Sequence, residues 1–344
     1  GADPLTALAI ATIPFGGEAQ VEGTLEQLLA GALKTLKEAG CSLVGGHTCE
    51  GAELALGLSV NGVARGGAGS LLTKGGAAPG DALVLTKAVG TGAILAAEMR
   101  GRATSPWLQP AVRSMLQSNG PAATVLRDHG ARACTDVTGF GVAGHLAEML
   151  RASPVQRRPS SSSSPPDGAT KTAVPASPSR AVSEGGGGEV WTKEEGESSS
   201  NDAPPSSLPL HAELSLQLLP VLSGAVEVVD AGIVSSLQGQ NERDNEGAVV
   251  GAAAAAAGGD AVDPGVGKDP RFRLLFDPQT AGGLLASVPR DGAVACVSAL
   301  RQAGYEAAAV IGSVTEARHE GEGRCIHVVS ATTAPAAAPM DLTK

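Results

Sequence analysis

Cys134-Thr135-Asp136-Val137-Thr138-Gly139-Phe140-Gly141-Val142-Ala143-Gly144-His145 joins a strand, a carboxylate, a glycine turn and a helix start within one short span. Ala131 to Thr135 read as a strand. Val142, Leu146, Met149 and Leu150 then recur at helical spacing, so Gly139 and Gly141 fall at the turn that feeds a helix N-terminus. Backbone N–H groups at such a terminus face an anion, and Asp136 at the strand end is placed to hold a divalent cation bridging phosphate oxygens. On these residues alone, a strand-turn-helix with one Asp is more often plain architecture, with Asp136 capping the turn.

The flanking segments alternate in the same way. Upstream, Asp81 to Thr86 read as a strand, Ala93 to Arg100 as a helix, and Pro121 to Gly130 as a helix with Pro at its start and Gly at its end. Nearer the N-terminus, residues 5 to 13 are apolar enough for a buried strand. Thr24-Leu25-Glu26-Gln27 then form a capping-box pattern ahead of Leu28, Leu29, Ala32, Leu33 and Leu36, with Gly40 at the stop. Cys41 to Val44 make a strand, Gly45-Gly46-His47-Thr48 a turn, and Leu54 to Ala64 a further strand. Downstream, Leu284 to Val288, Ala293 to Ala303 and Ala307 to Val314 read as strand, helix and strand, so the alternation predicts an α+β or α/β layer.

Two stretches break the pattern. From about Ser153 to Ser207 the composition turns to Ser, Pro, Gly and Glu, including Ser160 to Ser164 and Gly185 to Gly188, which predicts a disordered insert. A milder one runs from about Gln238 to Asp269 around the alanine run Ala252 to Ala257; Leu214 to Leu222 and Val226 to Leu237 between them read as ordered. Inserts at surface loops cost little in closure entropy.

The net charge of −10 and the absence of a basic run with interleaved aromatics argue against a nucleic-acid surface. No apolar run approaches the ~18 residues of a spanning helix, and the N-terminus lacks a secretory pattern, so a cytoplasmic or organelle-matrix location and no membrane partner are expected. The five cysteines form no CxxC pair, which fits reduced thiols better than a disulfide framework or a zinc site.

Taken together, Leu43-Val44-Gly45-Gly46-His47-Thr48, Pro79-Gly80-Asp81 with Leu85-Thr86-Lys87 and Gly90-Thr91-Gly92, the Asp136 stretch, and Phe276-Asp277-Pro278-Gln279-Thr280-Ala281-Gly282-Gly283-Leu284-Leu285 resemble the selenophosphate synthetase (selenide, water dikinase) family of the PurM-like superfamily. The resemblance implies an α+β fold of two domains. Residues 1–66 would be the C-terminal part of an ATP-binding and dimerisation domain that pairs into a dimer barrel, and 67–80 a linker. Residues 81–331 would form a C-terminal α/β sandwich domain, with inserts at about 153–207 and 238–269, and 332–344 a flexible tail. It further implies an enzyme that spends ATP on selenide and water to give selenophosphate, AMP and phosphate, using Mg2+, as a homodimer with shared nucleotide sites.

By the same resemblance, Gly46, His47 and Thr48 match residues that contact ATP bound mainly to the other subunit, and Asp136 matches a magnesium-binding aspartate. From the residues alone the first group is more often a turn with an incidental histidine. The family's remaining acidic ligands, and its catalytic Cys or selenocysteine with a Lys, are expected upstream of Gly1. The chain therefore reads as a fragment with no catalytic residue of its own, and Cys41 and Cys49 are no substitutes. His145 reads as a packing or capping residue, Lys87 as solvent-facing, and Asp277, Gln279 and Thr280 as architectural. Gly90-Thr91-Gly92 lacks the Gly-Lys-Ser/Thr ending of a P-loop. Two alternatives stand beside this expectation: a phosphotransferase of the same fold acting on another substrate, and a catalytically silent subunit that serves by dimerising.

Overall fold

The computed structural model describes residues 1–64, 66, 67, 69, 71–153, 210–251, 264–316 and 325–329. The expected insert at about 153–207, the alanine run Ala252 to Ala257 and the tail after Ala331 lie outside the described residues, apart from Ser153.

Residues 1–63 build a three-stranded sheet. β1 (Asp3–Pro14) lies between β2 (Ser42–Gly51), which runs parallel to it, and β3 (Ala55–Val63), which runs antiparallel. Alternation along β1 explains its burial: Ala7, Ala9, Ala11 and Ile13 are buried, while Leu8 and Ile10 point the other way and are 44% and 61% exposed. Helix α1 (Glu18–Glu38) packs on β1 and β2, and Leu36 meets Ala7 and Cys41 in a small core.

Two expectations change here. The helix begins at Glu18 behind Gly17 rather than at Thr24, whose hydroxyl donates to Gln20 O inside the helix at 2.7 Å. A Thr with Glu or Gln downstream imitates a capping box wherever the hydroxyl turns back onto its own helix. Gly45-Gly46-His47-Thr48 is strand, not turn: Leu8 to Ala11 pair with Gly45 to Thr48, and the register slips past Val44. Gly46 has φ 155°, and a Cβ there would stand 1.9 Å from Ala9 O, so the glycine admits close strand pairing rather than a bend.

The rest of the chain builds a seven-stranded mixed sheet in the order β5-β8-β4-β9-β6-β10-β7. Its strands are β4 (Ala82–Leu85), β5 (Ala133–Asp136), β6 (Leu210–Ser215), β7 (Val249–Gly251), β8 (Leu284–Val288), β9 (Ala309–Glu316) and β10 (Ile326–Val329). The helices are α2 (Thr91–Met99), α3 (Ser105–Leu116), α4 (Gly120–Asp128), α5 (Gly141–Arg151), α6 (Ala225–Asp230), α7 (Gln238–Asn245), α8 (Pro264–Lys268), α9 (Pro270–Leu274) and α10 (Arg290–Gln302). Both faces carry cores, as a sheet with fully buried strands requires. The larger core includes Leu83, Leu85, Ile94, Leu146 and Leu214, and the smaller includes Val84, Leu126, Ala286 and Leu300.

The expected irregular insert at about 238–269 is corrected at both ends, because 238–245 form α7, 249–251 form β7 and 264–268 form α8. No apolar stripe marks α7. It is held by polar side chains: Asn241 is buried and its Nδ2 donates to Gly139 O at 2.7 Å and to Phe276 O at 2.9 Å.

Candidate metal and nucleotide site

β5 brings Asp136 to the sheet end with its carboxylate exposed. Asp136 pairs with Leu284 on β8, and Leu284 in turn meets Thr86 beyond β4, through Thr86 N to Leu284 O at 3.0 Å and Leu284 N to Thr86 Oγ1 at 2.8 Å. Thr86, Leu284 and Asp136 therefore share one row.

The backbone after Asp136 is gripped from three sides. Val137 N donates to Gly283 O and Gln279 N donates to Thr138 O, both at 2.9 Å. Gly282 approaches so closely that a Cβ would lie 2.2 Å from Val137 O. Behind the turn, His145 is buried and its Nε2 accepts from the Thr138 amide at 3.0 Å, with Thr138 Oγ1 at 3.2 Å. An imidazole nitrogen that accepts an amide carries no proton, and burial lowers the His145 pKa, so the ring is neutral and serves as a holder, as expected. Asn241 fixes the third side through Gly139 O. Asp136 is thus an exposed carboxylate on a tightly held loop.

The helix N-termini prove less available to an anion than the sequence suggested. In α5, Gly141 N donates to Thr138 O at 3.1 Å and Ala143 N to Leu275 O at 2.9 Å. At α2, Gln279 Oε1 accepts from Gly90 N, Thr91 N and Thr91 Oγ1 at 3.0, 3.2 and 3.1 Å. Asp277 plugs the same terminus. It is fully buried, and its Oδ2 accepts from Gln279 Nε2 at 2.8 Å. No hydrogen bond of good geometry reaches Oδ1, so the nearby Gly92 and Ala93 amides act on it as dipoles. Burial wins over these donors and pushes the Asp277 carboxyl up to about 7. The Gly90-Thr91-Gly92 turn, which looks like a phosphate loop, is filled by the protein's own side chains.

Lys87 is corrected from solvent-facing to buried, at 3% exposure. Its Nζ donates to Ser114 O, Gln117 O and Ala281 O at 3.0, 2.6 and 3.2 Å. Burial lowers its pKa to about 8, and the three carbonyls pull the other way, so it is an ammonium at neutral pH. It lines a cavity of 630 Å³ together with Arg113, Tyr305 and Glu306. The placement was invisible in sequence, since its acceptors come from 27, 30 and 194 residues away.

Gly46, His47 and Thr48 are exposed on β2 of the other sheet. Among the described residues no hydrogen bond or ion pair joins them to Asp136. The pleat puts His47 on the Ile10 side and Thr48 on the Ala11 side. Cys49 Sγ lies 3.5 Å from Thr12 Oγ1, which marks the same alternation. No cluster of three metal-ligating side chains occurs among the described residues.

The N-terminal sheet and the start of the larger sheet fall in stretches that match the two domains of AIR synthase related proteins. The model for the N-terminal domain of that group matches residues 1–64, and the model for its C-terminal domain matches 78–197. Among solved structures, hydrogenase maturation protein HypE in complex with ATP aligns with TM-score 0.56 at 15% identity over 95% of this chain and 71% of that one. Thiamine monophosphate kinase from Aquifex aeolicus aligns with TM-score 0.52 at 13% identity over 95% and 74%. These two show the fold. The sequence relatives are more specific: selenide, water dikinase of Pelobacter propionicus is 33% identical over 92% of this chain and 70% of its own length, and that of Geobacter metallireducens 30% identical over 93% and 72%. The chain belongs to the selenide, water dikinase family.

Proposed function

We infer that the protein phosphorylates selenide with ATP, converting selenide, ATP and water into selenophosphate, AMP and phosphate for selenoprotein synthesis. Family membership across 92% of the chain carries this conclusion. The Asp136 site supports it. A carboxylate held by Val137, Thr138 and Gly139 on a fixed loop suits Mg2+, which takes one or two carboxylates and completes its shell with water and phosphate oxygens. Bound there, the ion would neutralise charge on the phosphoryl groups in transfer, the larger part of catalysis in this chemistry. The chain's own contribution is positional: His145 and Asn241 hold the turn in place, so the carboxylate meets its ion without reorganising.

Gly46, His47 and Thr48 are the residues assigned to ATP. The close-packed Gly46 backbone and one of the two side chains face any given ligand, since His47 and Thr48 point to opposite sides. A homodimer is part of the same reading. Leu8 and Ile10 on the open face of β1 leave exposed apolar side chains that a second copy would cover. No helix among the described residues is long and apolar enough to cross a membrane.

The test is direct: incubate the protein expressed from its full reading frame with ATP, Mg2+ and selenide under anoxic conditions, and follow phosphorus by 31P NMR. Selenophosphate and AMP formed in equal amounts support the assignment. ATP hydrolysis that selenide neither stimulates nor diverts sinks it.

A further inference from the structure

Among the described residues, Lys87 is the one buried lysine or arginine, and the chemistry proposed above leaves it without a task. A buried ammonium is tolerated only when its protons are paired. Here each of the three N–H groups has its own acceptor, Ser114 O, Gln117 O and Ala281 O, so none remains to bind a phosphate. The charge is spent within the protein.

What it holds is informative. Ser114 and Gln117 lie at the C-terminal end of α3, where carbonyls lack helical partners. Ala281 has φ 47°, the one positive value at a non-glycine residue among the described residues. An alanine in the left-handed region persists only where its surroundings enforce it. Lys87 supplies that enforcement at the Ala281 carbonyl, and Asn119 Nδ2 adds a bond to Gly282 O at 2.8 Å. The segment so restrained is the one that grips Asp136: Gln279 and Gly283 bond Thr138 and Val137, and Gly282 packs on Val137 O. β4 and β5 flank β8, two strand spacings or about 10 Å apart, so the lysine acts through the turn rather than by touching the carboxylate.

We propose that Lys87 is a positioning residue for the Asp136 site: its ammonium locks the left-handed Ala281 turn, and that turn fixes the backbone that presents the carboxylate to a divalent cation. The inference rests on the metal assignment of Asp136, and the experiment separates the two.

Mn2+ binding to the full-length protein is measured by electron paramagnetic resonance in the presence of a non-hydrolysable ATP analogue, for wild type, Asp136→Asn, Lys87→Met, Lys87→Arg and the double variant Lys87→Met with Ala281→Gly. Lys87→Met is expected to weaken Mn2+ binding roughly 10-fold, the scale of losing an outer-shell support. Glycine at 281 adopts the left-handed turn unaided, so the double variant recovers much of the loss, an effect that a lysine contacting ligand directly would not show. If Lys87→Met does not fold, Lys87→Arg gives the same reading, because a planar guanidinium does not converge on three carbonyls around one nitrogen. Loss of Mn2+ affinity in Asp136→Asn with wild-type affinity in both lysine variants overturns the positioning role alone. Unchanged affinity in Asp136→Asn overturns the metal assignment and this inference with it.

Discussion

Replacing Asp277 with Asn should remove a pH dependence of stability that the wild-type protein carries. The carboxyl is fully buried and its pKa rises from 3.8 to about 7. Between those values the folded state keeps a proton that the unfolded state has released, so stability falls as pH rises, with a limiting slope of one proton or about 1.4 kcal/mol per pH unit. Below 3.8 both states are protonated and the contribution is fully present; above about 7 both are ionised and it is gone. The difference of about 3 pH units corresponds to about 4 kcal/mol. Asn fills the same space and does not titrate. Urea unfolding of both proteins, carried out in a Trp191→Phe background so that Trp107 supplies the fluorescence, reports on the layer that Asp277 caps, because Trp107 on α3 packs against Gly224 beside α6, and α2 contacts both helices. From pH 4 to pH 8 the stability of Asp277→Asn relative to wild type should shift by about 3–4 kcal/mol in favour of the variant. A difference that stays constant across that range refutes the assignment of a raised carboxyl.

Asp136→Asn should lower Mg2+-dependent selenophosphate formation about 100-fold or more, the scale of removing one charge-stabilising group, and leave the thermal midpoint unchanged because the side chain is exposed. Full activity in that variant removes Asp136 from the site. Gly46→Ala should cost more than about 2 kcal/mol by forcing a methyl into the Ala9 carbonyl, read as loss of soluble protein or a lowered unfolding midpoint. Wild-type stability there means β1 and β2 are not paired as described. If the proposed homodimer forms through the open face of β1, Ile10→Glu should convert it into a folded monomer in sedimentation with an unaltered circular dichroism spectrum, and a variant that still sediments as a dimer locates the interface elsewhere.

The strands were legible wherever apolar residues alternated or ran together, as in β1, β3, β4 and β8, and so was α5 from its helical period. Helix α3 was not anticipated, with Pro106 in its first turn and Pro110 inside it. Helix α7 was missed because polar hydrogen bonds rather than an apolar face secure it. Asp136 stood out through its place between strand and glycine turn, whereas its supports did not. Gln279 caps a helix about 190 residues earlier in the chain, and Lys87 finds its acceptors only after α3 and the Ala281 turn have folded against it. Local pattern reveals a group that is exposed at the end of an element; it does not reveal which distant backbone a buried polar group will complete.

The pleat of β2 has a bearing on how this protein can vary. His47 and Thr48 are neighbours in sequence yet address opposite faces of the sheet, one shared with Ile10 and the other with Ala11. Two adjacent codons therefore tune independent properties. Substitutions at His47 can alter what docks on the Ile10 face while the opposite face, where Ala7 packs on Leu36, keeps its core, so recognition and folding need not trade against each other along this strand.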